Sequence, residues 1–317
     1  MEVIYGLESF PSQRVPVVVA LGTFDGVHLG HQVLIRRALQ RARERGGRCV
    51  VLTFDPHPFQ VIAAPAEPFL LTTIEERVQL LAGLGVDVTV VVRFDEAFRQ
   101  ITADAWIEML VHRTRLTEAV CGPSYTFGRD RTGDAGMLLH VGRGRGVAVH
   151  IVQPVKIEGT IVSSSVIRRL LREGGVRDAA RLLGRWYGIQ GAVVQGEGRG
   201  RSLGFPTANL MLPGQKITPA AGIYAAFSRT PAGVHRAAVS IGTRPTFGPG
   251  RLVIEAHLLD VSEDLYGAEI ELYFVDRLRD EMTFASVDEL VRQMHDDISQ
   301  TRRLLQRHAM PFTPIEA

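Results

Sequence analysis

Two histidines three positions apart, His28 and His31, lie in a glycine-rich stretch whose chemistry suits phosphate binding. The apolar run 17–20 before them predicts a buried strand, and apolar residues at helical spacing over 33–45 predict a helix after them. The stretch is therefore predicted to be a strand-to-helix turn. Free N–H groups at the start of such a helix favour phosphate, and two imidazole rings beside it can donate hydrogen bonds to the same anion.

A second histidine-bearing segment follows the next predicted strand, 49–54. Its two prolines, Pro56 and Pro58, predict that no regular element forms there, so that His57 is held on a stiff loop. Strands alternate with helices through this half of the chain, which predicts a doubly wound parallel sheet. Ligands collect at the carboxyl ends of strands in such sheets, and both histidine segments are expected at that edge.

Three consecutive serines, Ser163, Ser164 and Ser165, precede a helix predicted over 167–172. In isolation they are typical of an ordinary helix N-cap. Together with the phosphate-binding turn, they and Arg168 form the complement that a triphosphate needs. The guanidinium can neutralise a departing pyrophosphate.

From residue 187 onwards the pattern changes to short period-two segments with glycine turns and no helices between them. This succession predicts a small antiparallel β-barrel, with a last amphipathic helix over 287–306 packed on its outside. The sequence therefore predicts two domains, 1–184 and 185–317. The predicted barrel strands are Ile189 to Val194, Gly222 to Ser228, Ala237 to Ile241, Leu252 to Leu259 and Glu269 to Val275.

Within the barrel half, Glu255 interrupts an apolar strand, where an inward-facing carboxylate is costly without a task. One reading makes it a general base for a substrate hydroxyl, and the other leaves Glu255 and His257 facing water. A glycine-rich segment over 196–204 suits a flap over phosphates. Beyond it, Thr207 and Asn209 present hard oxygen ligands appropriate to Mg²⁺ on a nucleotide.

Composition limits the remaining possibilities. The 317 residues are 45% hydrophobic and 22% charged, an ordinary globular balance, and a net charge of +2 gives no general attraction to nucleic acid. The two cysteines, Cys49 and Cys121, lie in predicted buried strands, which is typical of reduced thiols in a cytosolic protein. Neither a leader segment nor a membrane span is evident, so the protein is predicted to be cytoplasmic.

These motifs together resemble those of the prokaryotic bifunctional riboflavin kinase/FMN adenylyltransferase family, almost from end to end. The first half is similar to the adenylyltransferase domain, a nucleotidylyltransferase fold, through 22–31, 53–58, 127–128 and 163–168. The second half is similar to the kinase domain through 200–209, 222–225, 241–247, Glu255 and 264–267. The family's acidic residue, Asn and Phe before the Phe-Gly pair are Pro123, Ser124 and Tyr125 in this chain.

The resemblance implies phosphorylation of riboflavin to FMN in the second domain and adenylylation of FMN to FAD, with release of pyrophosphate, in the first. ATP is the substrate of both steps and Mg²⁺ the expected metal; no nucleic acid, membrane or obligate protein partner is implied. In the first domain, ATP is assigned to Gly22, Phe24, Asp25, Gly26, His28, His31, Ser163, Ser164, Ser165 and Arg168, and flavin to Pro56, His57, Pro58, Ser124 and Phe127. In the second, ATP is assigned to Gly198, Arg201, Gly204, Pro206, Thr207 and Asn209, the last two also holding Mg²⁺. The predicted catalytic residues are Glu255, His28, His31 and Arg168.

Two alternatives remain at this level. One is an adenylyltransferase for nicotinate mononucleotide or phosphopantetheine, in which the barrel is a non-catalytic appendage and Glu255, Thr207 and Asn209 have no task. The other is an arginine-rich RNA-binding or regulatory protein that has kept a nucleotide-binding fold. The second predicts an RNA affinity that depends steeply on salt, and the even charge balance speaks against it.

Overall fold

The computed structural model describes residues 1–196, 198–212, 214, 216–244, 251–261 and 263–308. Pro245, Thr246 and Phe247, part of one kinase-like motif, lie outside these residues, as does the side chain of Arg201. The chain forms two compact units, Met1–Ser164 and Ser165–Ala317. Residues 165–184 thus group with the second unit, whereas the boundary predicted from the change of sequence pattern, 184/185, stays a prediction.

The first unit alternates strands with helices, as its sequence predicts. Its strands are β1 (Glu2–Tyr5), β2 (Val17–Leu21), β3 (Arg48–Asp55), β4 (Val88–Arg93), β5 (Glu118–Cys121), β6 (Thr126–Phe127), β7 (Gly133–Asp134), β8 (Ala148–Ile151), β9 (Lys156–Ile157) and β10 (Thr160–Ile161). Its helices are α1 (Leu29–Glu44), α2 (Pro58–Ala63), α3 (Ile74–Gly83), α4 (Glu96–Arg99), α5 (Ala103–Thr114) and α6 (Ala135–Gly144).

Six of these strands form one parallel sheet in the order β1-β4-β3-β2-β5-β8. Every residue of the central strand β2 is buried, because helices cover both faces of the sheet. Val17, Val19 and Leu21 pack into a core with α5 and α6, whereas Val18 and Ala20 pack into a second core with α1. The predicted doubly wound sheet is confirmed.

The expectation of no regular element around Pro56 and Pro58 is wrong at the second proline. Pro58 is the first residue of α2, and its missing N–H costs nothing there because the first helical N–H groups have no partner inside the helix. His57 caps the helix, and its Nδ1 accepts the N–H of Phe59 at 3.1 Å. The loop is therefore stiff, but a short helix holds it.

A buried carboxylate fastens α1 to the sheet. Glu118 is 1% exposed and accepts hydrogen bonds from Arg41 at 2.7 and 2.8 Å and from Arg45 at 2.8 Å. His150 lies 2.7 Å from the same carboxylate. These partners, Arg41 above all, lower the pKa of Glu118 to about 2 against the opposing effect of burial.

Replacing Glu118 by glutamine is expected to destabilise the first unit in a pH-dependent way. A carboxylate with a lowered folded-state pKa stabilises the fold above its ordinary pKa of 4.5, and this stabilisation is lost as pH falls towards 2. Urea denaturation should show the Glu118→Gln variant roughly 2–3 kcal/mol less stable at pH 7, with a clearly smaller difference at pH 3. Glu44→Gln removes an exposed partner of Arg41 and is the control. Equal losses for Glu118→Gln at both pH values would show that the lowered pKa of Glu118 does not stabilise the fold.

The second unit is a barrel with helices on its outside. Its helices are α7 (Ser164–Arg172, whose first residue belongs to the first unit), α8 (Val176–Leu183), α9 (Arg199–Ser202) and α10 (Val287–Leu305). Its strands are β11 (Tyr187–Val194), β12 (Ala208–Met211), β13 (Gly222–Thr230), β14 (Gly233–Arg244), β15 (Arg251–Leu258) and β16 (Glu269–Arg279).

The six strands close in the order β11-β12-β15-β14-β13-β16, and every pairing is antiparallel. The predicted barrel and its final helix are confirmed. On the outside of the barrel, α8 packs on β11 and β16, and α10 packs on β13, β14 and β16. Arg279 of β16 makes a two-bonded contact of 2.9 and 2.7 Å with the buried Asp297 of α10, which fixes this helix on the barrel.

Candidate active sites

The carboxyl ends of three parallel strands bring the predicted residues of the first unit to one edge of the sheet. β2, β3 and β5 end at Leu21, Asp55 and Cys121, directly before the three segments that carry those residues. The strand order changes direction at β2, because β3 and β4 lie on one side of it and β5 and β8 on the other. Such a switch point is where open α/β sheets bind their ligands, and the His28 turn follows β2.

The two histidine rings of this turn are stacked. Their centroids are 3.6 Å apart with an interplanar angle of 16°, and His28 is 5% exposed. His28 is the N-cap of α1, where its Nδ1 accepts the backbone N–H of His31 at 3.2 Å. Because Nδ1 is an acceptor, the proton of the neutral ring resides on Nε2. His28 can therefore donate Nε2–H to an anion while it caps the helix that points at the same anion.

The helix begins four residues earlier than the sequence predicts, inside the motif itself. Gly30 is in its first turn, and a Cβ atom at that position would lie 3.1 Å from the His28 ring. The glycine thus leaves room for the histidine beside the helix start. Phe24 and Val27, before it, have positive φ angles of 51° and 39° although both are buried. Strained backbone of this kind clusters at ligand sites.

Hydrogen bonds to the buried residue Asp25 fix the conformation of the His28 turn. Asp25 is 0% exposed, and its carboxylate accepts the N–H groups of Leu71 and Thr72 at 3.0–3.1 Å and the Thr72 hydroxyl at 3.0 Å. The same hydroxyl oxygen accepts the N–H of Gly26 at 3.0 Å. The Ser164 hydroxyl donates to the Asp25 carbonyl at 2.9 Å. Ser164 and the glycine turn, far apart in sequence, are thus in contact.

Sequence reasoning missed Arg77, which completes this set of contacts around Asp25. It is 2% exposed, its guanidinium lies 3.7 Å from the Asp25 carboxylate, and it donates to the Thr53 hydroxyl at 3.0 Å. Thr53 in turn donates to the Thr23 carbonyl at 2.7 Å. One signal was available in the sequence, since Arg77 and Leu81 are four apart on α3 and share its buried face. An arginine on such a face needs a buried partner.

The segment after β3 presents an aromatic surface. His57 is 9% exposed and meets the ring of Phe69 edge-on at 5.1 Å, and Phe59 stacks on Phe69 at 4.5 Å. Pro56 and Pro58 flank His57. The flavin-binding residues predicted in this segment therefore adjoin the rings of Phe59 and Phe69, which the prediction did not include. Phe59 is 38% exposed, which leaves apolar surface available to a planar ligand.

The segment after β5 divides into exposed and buried parts. Ser124 is exposed, whereas Phe127 is 8% exposed and belongs to the core beside α5. Tyr125 stacks on Phe127 at 5.4 Å and accepts a hydrogen bond from the Trp106 ring nitrogen at 3.2 Å. Burial raises the pKa of Tyr125. The assignments of Ser124 and Phe127 to flavin stay predictions.

Two remaining residues of the predicted triphosphate site lie in the second unit. Ser165 is in the first turn of α7 and Arg168 is in the next, where it is 6% exposed. Ser163 directly precedes the helix. The assignments of Ser163, Ser165 and Arg168 to ATP stay predictions.

In the barrel, Asn209 of β12 pairs with Glu255 of β15, which pairs in turn with Ser240 of β14. Registered partners project from the same face of a sheet with Cβ atoms about 5 Å apart. Ile254, Ala256 and Leu258 are buried in the barrel, and residues alternate along a strand. Glu255 is consequently on the outer face with Asn209 and Ser240.

The inward-facing Glu255 expected from the sequence is therefore wrong. The strand looks apolar because Val253 and Ile254 directly precede Glu255 in sequence, yet these two side chains belong to opposite faces. Glu255 is part-buried on the outer face, and it lies in a row of polar side chains. Its location between an amide and a hydroxyl suits a carboxylate with a chemical task.

The predicted flap folds against Thr207. The N–H of Phe205 donates to the Gly200 carbonyl at 2.8 Å, and a Cβ atom at Gly200 would lie 2.4 Å from the Phe205 carbonyl oxygen and 3.3 Å from the Thr207 hydroxyl. Only glycine fits this approach. Gly198 and Gly204 are exposed at the two ends of the turn, and Pro206 is exposed directly before Thr207.

The chain matches two family models, one described as FAD synthetase over residues 10–166 and one described as riboflavin kinase over residues 183–305. Curated relatives carry both activities in one name. The bifunctional riboflavin kinase/FMN adenylyltransferase of Listeria monocytogenes is 37% identical over 287 residues, which cover 90% of this chain and 91% of the relative. That of Escherichia coli strain K12 is 36% identical, with coverage of 93% and 94%.

A crystal structure described as a macrolide-efflux protein from Streptococcus pneumoniae has the same fold, with a TM-score of 0.86 and 33% identity over 95% of this chain and 99% of that one. The word efflux is part of the description of that neighbour and is not carried over to this chain. No helix in the described part of this chain has the length and apolar character needed to span a membrane. Both family models and the curated relatives agree on flavin chemistry. The chain therefore belongs to the family of bifunctional riboflavin kinases/FMN adenylyltransferases, enzymes that convert riboflavin to FMN and FMN to FAD.

Proposed function

We propose that the barrel's outer face around Glu255 is where riboflavin is phosphorylated. Glu255 accepts the proton of the terminal ribityl hydroxyl as that oxygen attacks the γ-phosphorus of ATP, and ADP leaves. A positioned base and good alignment supply most of what such a transfer needs. The observation that carries this assignment is the register that places Glu255 between Asn209 and Ser240.

Thr207 and Asn209 would hold Mg²⁺ together with the nucleotide phosphates. A hydroxyl and an amide oxygen are hard, neutral ligands, which Mg²⁺ accepts alongside phosphate and water. The closeness of Gly200 to Thr207 supports this fit, because a Cβ atom at Gly200 would lie 3.3 Å from the Thr207 hydroxyl. When bound, the ion neutralises charge on the transferring phosphate.

In the first unit, FMN is adenylylated. A phosphate oxygen of FMN attacks the α-phosphorus of ATP, the bond to the β-phosphate oxygen breaks, and pyrophosphate leaves. The nucleophile is already anionic and needs no base. We assign His28 Nε2–H to donate to the phosphate oxygens on which charge develops, with His31 stacked on it. The assignment of Arg168 to the departing pyrophosphate stays a prediction from the sequence.

A time course tests the two-step function. Purified protein is incubated with riboflavin, Mg²⁺ and ATP, and the flavins are separated by chromatography. FMN should rise first and FAD should follow as FMN falls, because FMN is the product of one step and the substrate of the next. FMN that accumulates without FAD would mean that the first unit is redirected, with 123–125 as the suspect segment. No flavin product at all would contradict the proposal.

We also propose the cytoplasm as the compartment. Cys49 and Cys121 are both buried and unpaired by a disulfide. Burial raises the pKa of the Cys49 thiol to about 12 and that of Cys121 to about 11, so neither is a reactive thiolate. Reduced, inert thiols are typical of cytosolic proteins.

A further inference from the structure

His257 occupies the same outer face of β15 as Glu255, two residues further along the strand. Its Nδ1 lies 2.8 Å from the carbonyl oxygen of Pro206, the residue directly before Thr207. A carbonyl oxygen only accepts, so His257 is the donor in this hydrogen bond. The side chain thus connects the strand that carries Glu255 to the segment that carries Thr207.

The hydrogen bond lies where the strand ladder stops. The last registered pair of β12 and β15 at this end is Ala208 with Ala256. Pro206 has no N–H and cannot extend the ladder. The His257 side chain therefore supplies the link to β15 that the proline backbone does not.

The residue beside that link is clamped as well. Phe205 is 5% exposed, and its ring meets His257 edge-on at 5.8 Å and His295 of α10 edge-on at 5.0 Å. Its N–H also closes the flap turn on Gly200. Contacts with Gly200, His295 and His257 therefore hold the 205–207 segment. Among these contacts, the hydrogen bond from His257 is the one that comes from the strand of Glu255.

We propose that His257 is a positioning residue for the kinase step: its Nδ1–H holds the Pro206 carbonyl and so fixes the Thr207 hydroxyl relative to Glu255. The inference rests on the proposed placement of the nucleotide at Thr207. Both the neutral Nδ1–H form and the charged form of the ring can donate this bond, so the residue acts by geometry rather than by transferring a proton.

Two variants separate the hydrogen bond from ring packing. His257→Asn retains a donor near the position of Nδ1 and removes the ring, whereas His257→Phe retains a ring against Phe205 and removes the donor. We expect His257→Phe to raise the KM for Mg-ATP in riboflavin phosphorylation about tenfold. His257→Asn should stay within about twofold to threefold of wild type, and both should keep the pH profile of wild type.

The adenylylation of FMN by the same preparations is the control for an intact chain. A His257→Phe variant with wild-type KM would overturn the proposal, as would a His257→Asn variant that is impaired as much as His257→Phe, because packing alone would then explain the histidine. Glu255→Gln, measured in parallel, tests the proposed function separately. If that variant keeps full kinase turnover, the assignment of Glu255 as the base fails. The comparison of His257→Asn with His257→Phe still tests the role of His257, because it is measured as the KM for Mg-ATP.

Discussion

Glu255→Gln is expected to lower kcat for riboflavin phosphorylation by about 10³-fold, the central value for loss of a general base. The glutamine side chain keeps the shape of Glu255 and its location between Asn209 and Ser240, but it cannot take the hydroxyl proton. Adenylylation of added FMN should be unchanged, because the catalytic residues proposed for that step lie elsewhere in the chain. Initial rates of both reactions, with each flavin supplied separately, measure the effect.

Glu269→Gln is the matched control for this prediction. Glu269 is an exposed carboxylate of the same barrel, at the start of β16, and its replacement should leave both rates near those of wild type. Kinase turnover that survives in Glu255→Gln would remove Glu255 from the role of base. The nucleotide site around Thr207 would then need another group to activate the hydroxyl.

His28→Asn is expected to reduce FAD formation from FMN by about 10²–10³-fold, the usual cost of losing one donor to a developing oxyanion. Asparagine keeps an acceptor near the position of Nδ1, so it can still cap α1 at the N–H of His31. It has no donor where Nε2–H would be. The loss is thus expected without a matching loss of stability or of riboflavin phosphorylation.

His28→Gln is the complementary variant, since its amide nitrogen falls near the position of Nε2. It should recover part of the activity that His28→Asn loses, even though glutamine is a poorer helix cap. Thermal denaturation of both variants reports on the cap, and FMN adenylylation reports on the donor. If His28→Gln is as inactive as His28→Asn while both remain folded, the assignment of Nε2–H to the reacting phosphate is wrong.

Sequence reasoning reached most of the architecture because the two halves have different periodicities. Helical spacing in 33–45 and the apolar run at 17–20 predicted the parallel sheet, and period-two segments after 187 predicted the barrel. β1 was missed because 2–5 is too short to carry a pattern. α2 was missed because a proline at the first helical position has the same appearance in sequence as a proline in a loop.

The sites were harder to predict than the folds, for a physical reason. The Gly22 to His31 turn is local in sequence and could be identified, but Asp25 is held by groups 46 and 47 residues away and by Arg77. Such pairings form only when the chain is folded. The face of the barrel from which Glu255 projects depends on which of its neighbours are buried. Because this strand has apolar residues on both faces, its sequence does not show which face is inside. The bond from His257 to Pro206 spans 51 residues and has no local signature.

A mixing experiment tests the central claim, that two separate sites in one chain catalyse consecutive steps. Riboflavin, Mg²⁺ and ATP are given to Glu255→Gln alone, to His28→Asn alone, and to an equal mixture of the two. We expect almost no product from the first, FMN without FAD from the second, and FAD from the mixture, because each variant supplies the site that the other lacks. A mixture that forms no more FAD than His28→Asn alone, although Glu255→Gln adenylylates added FMN, would contradict the assignment of the two steps to these two sites.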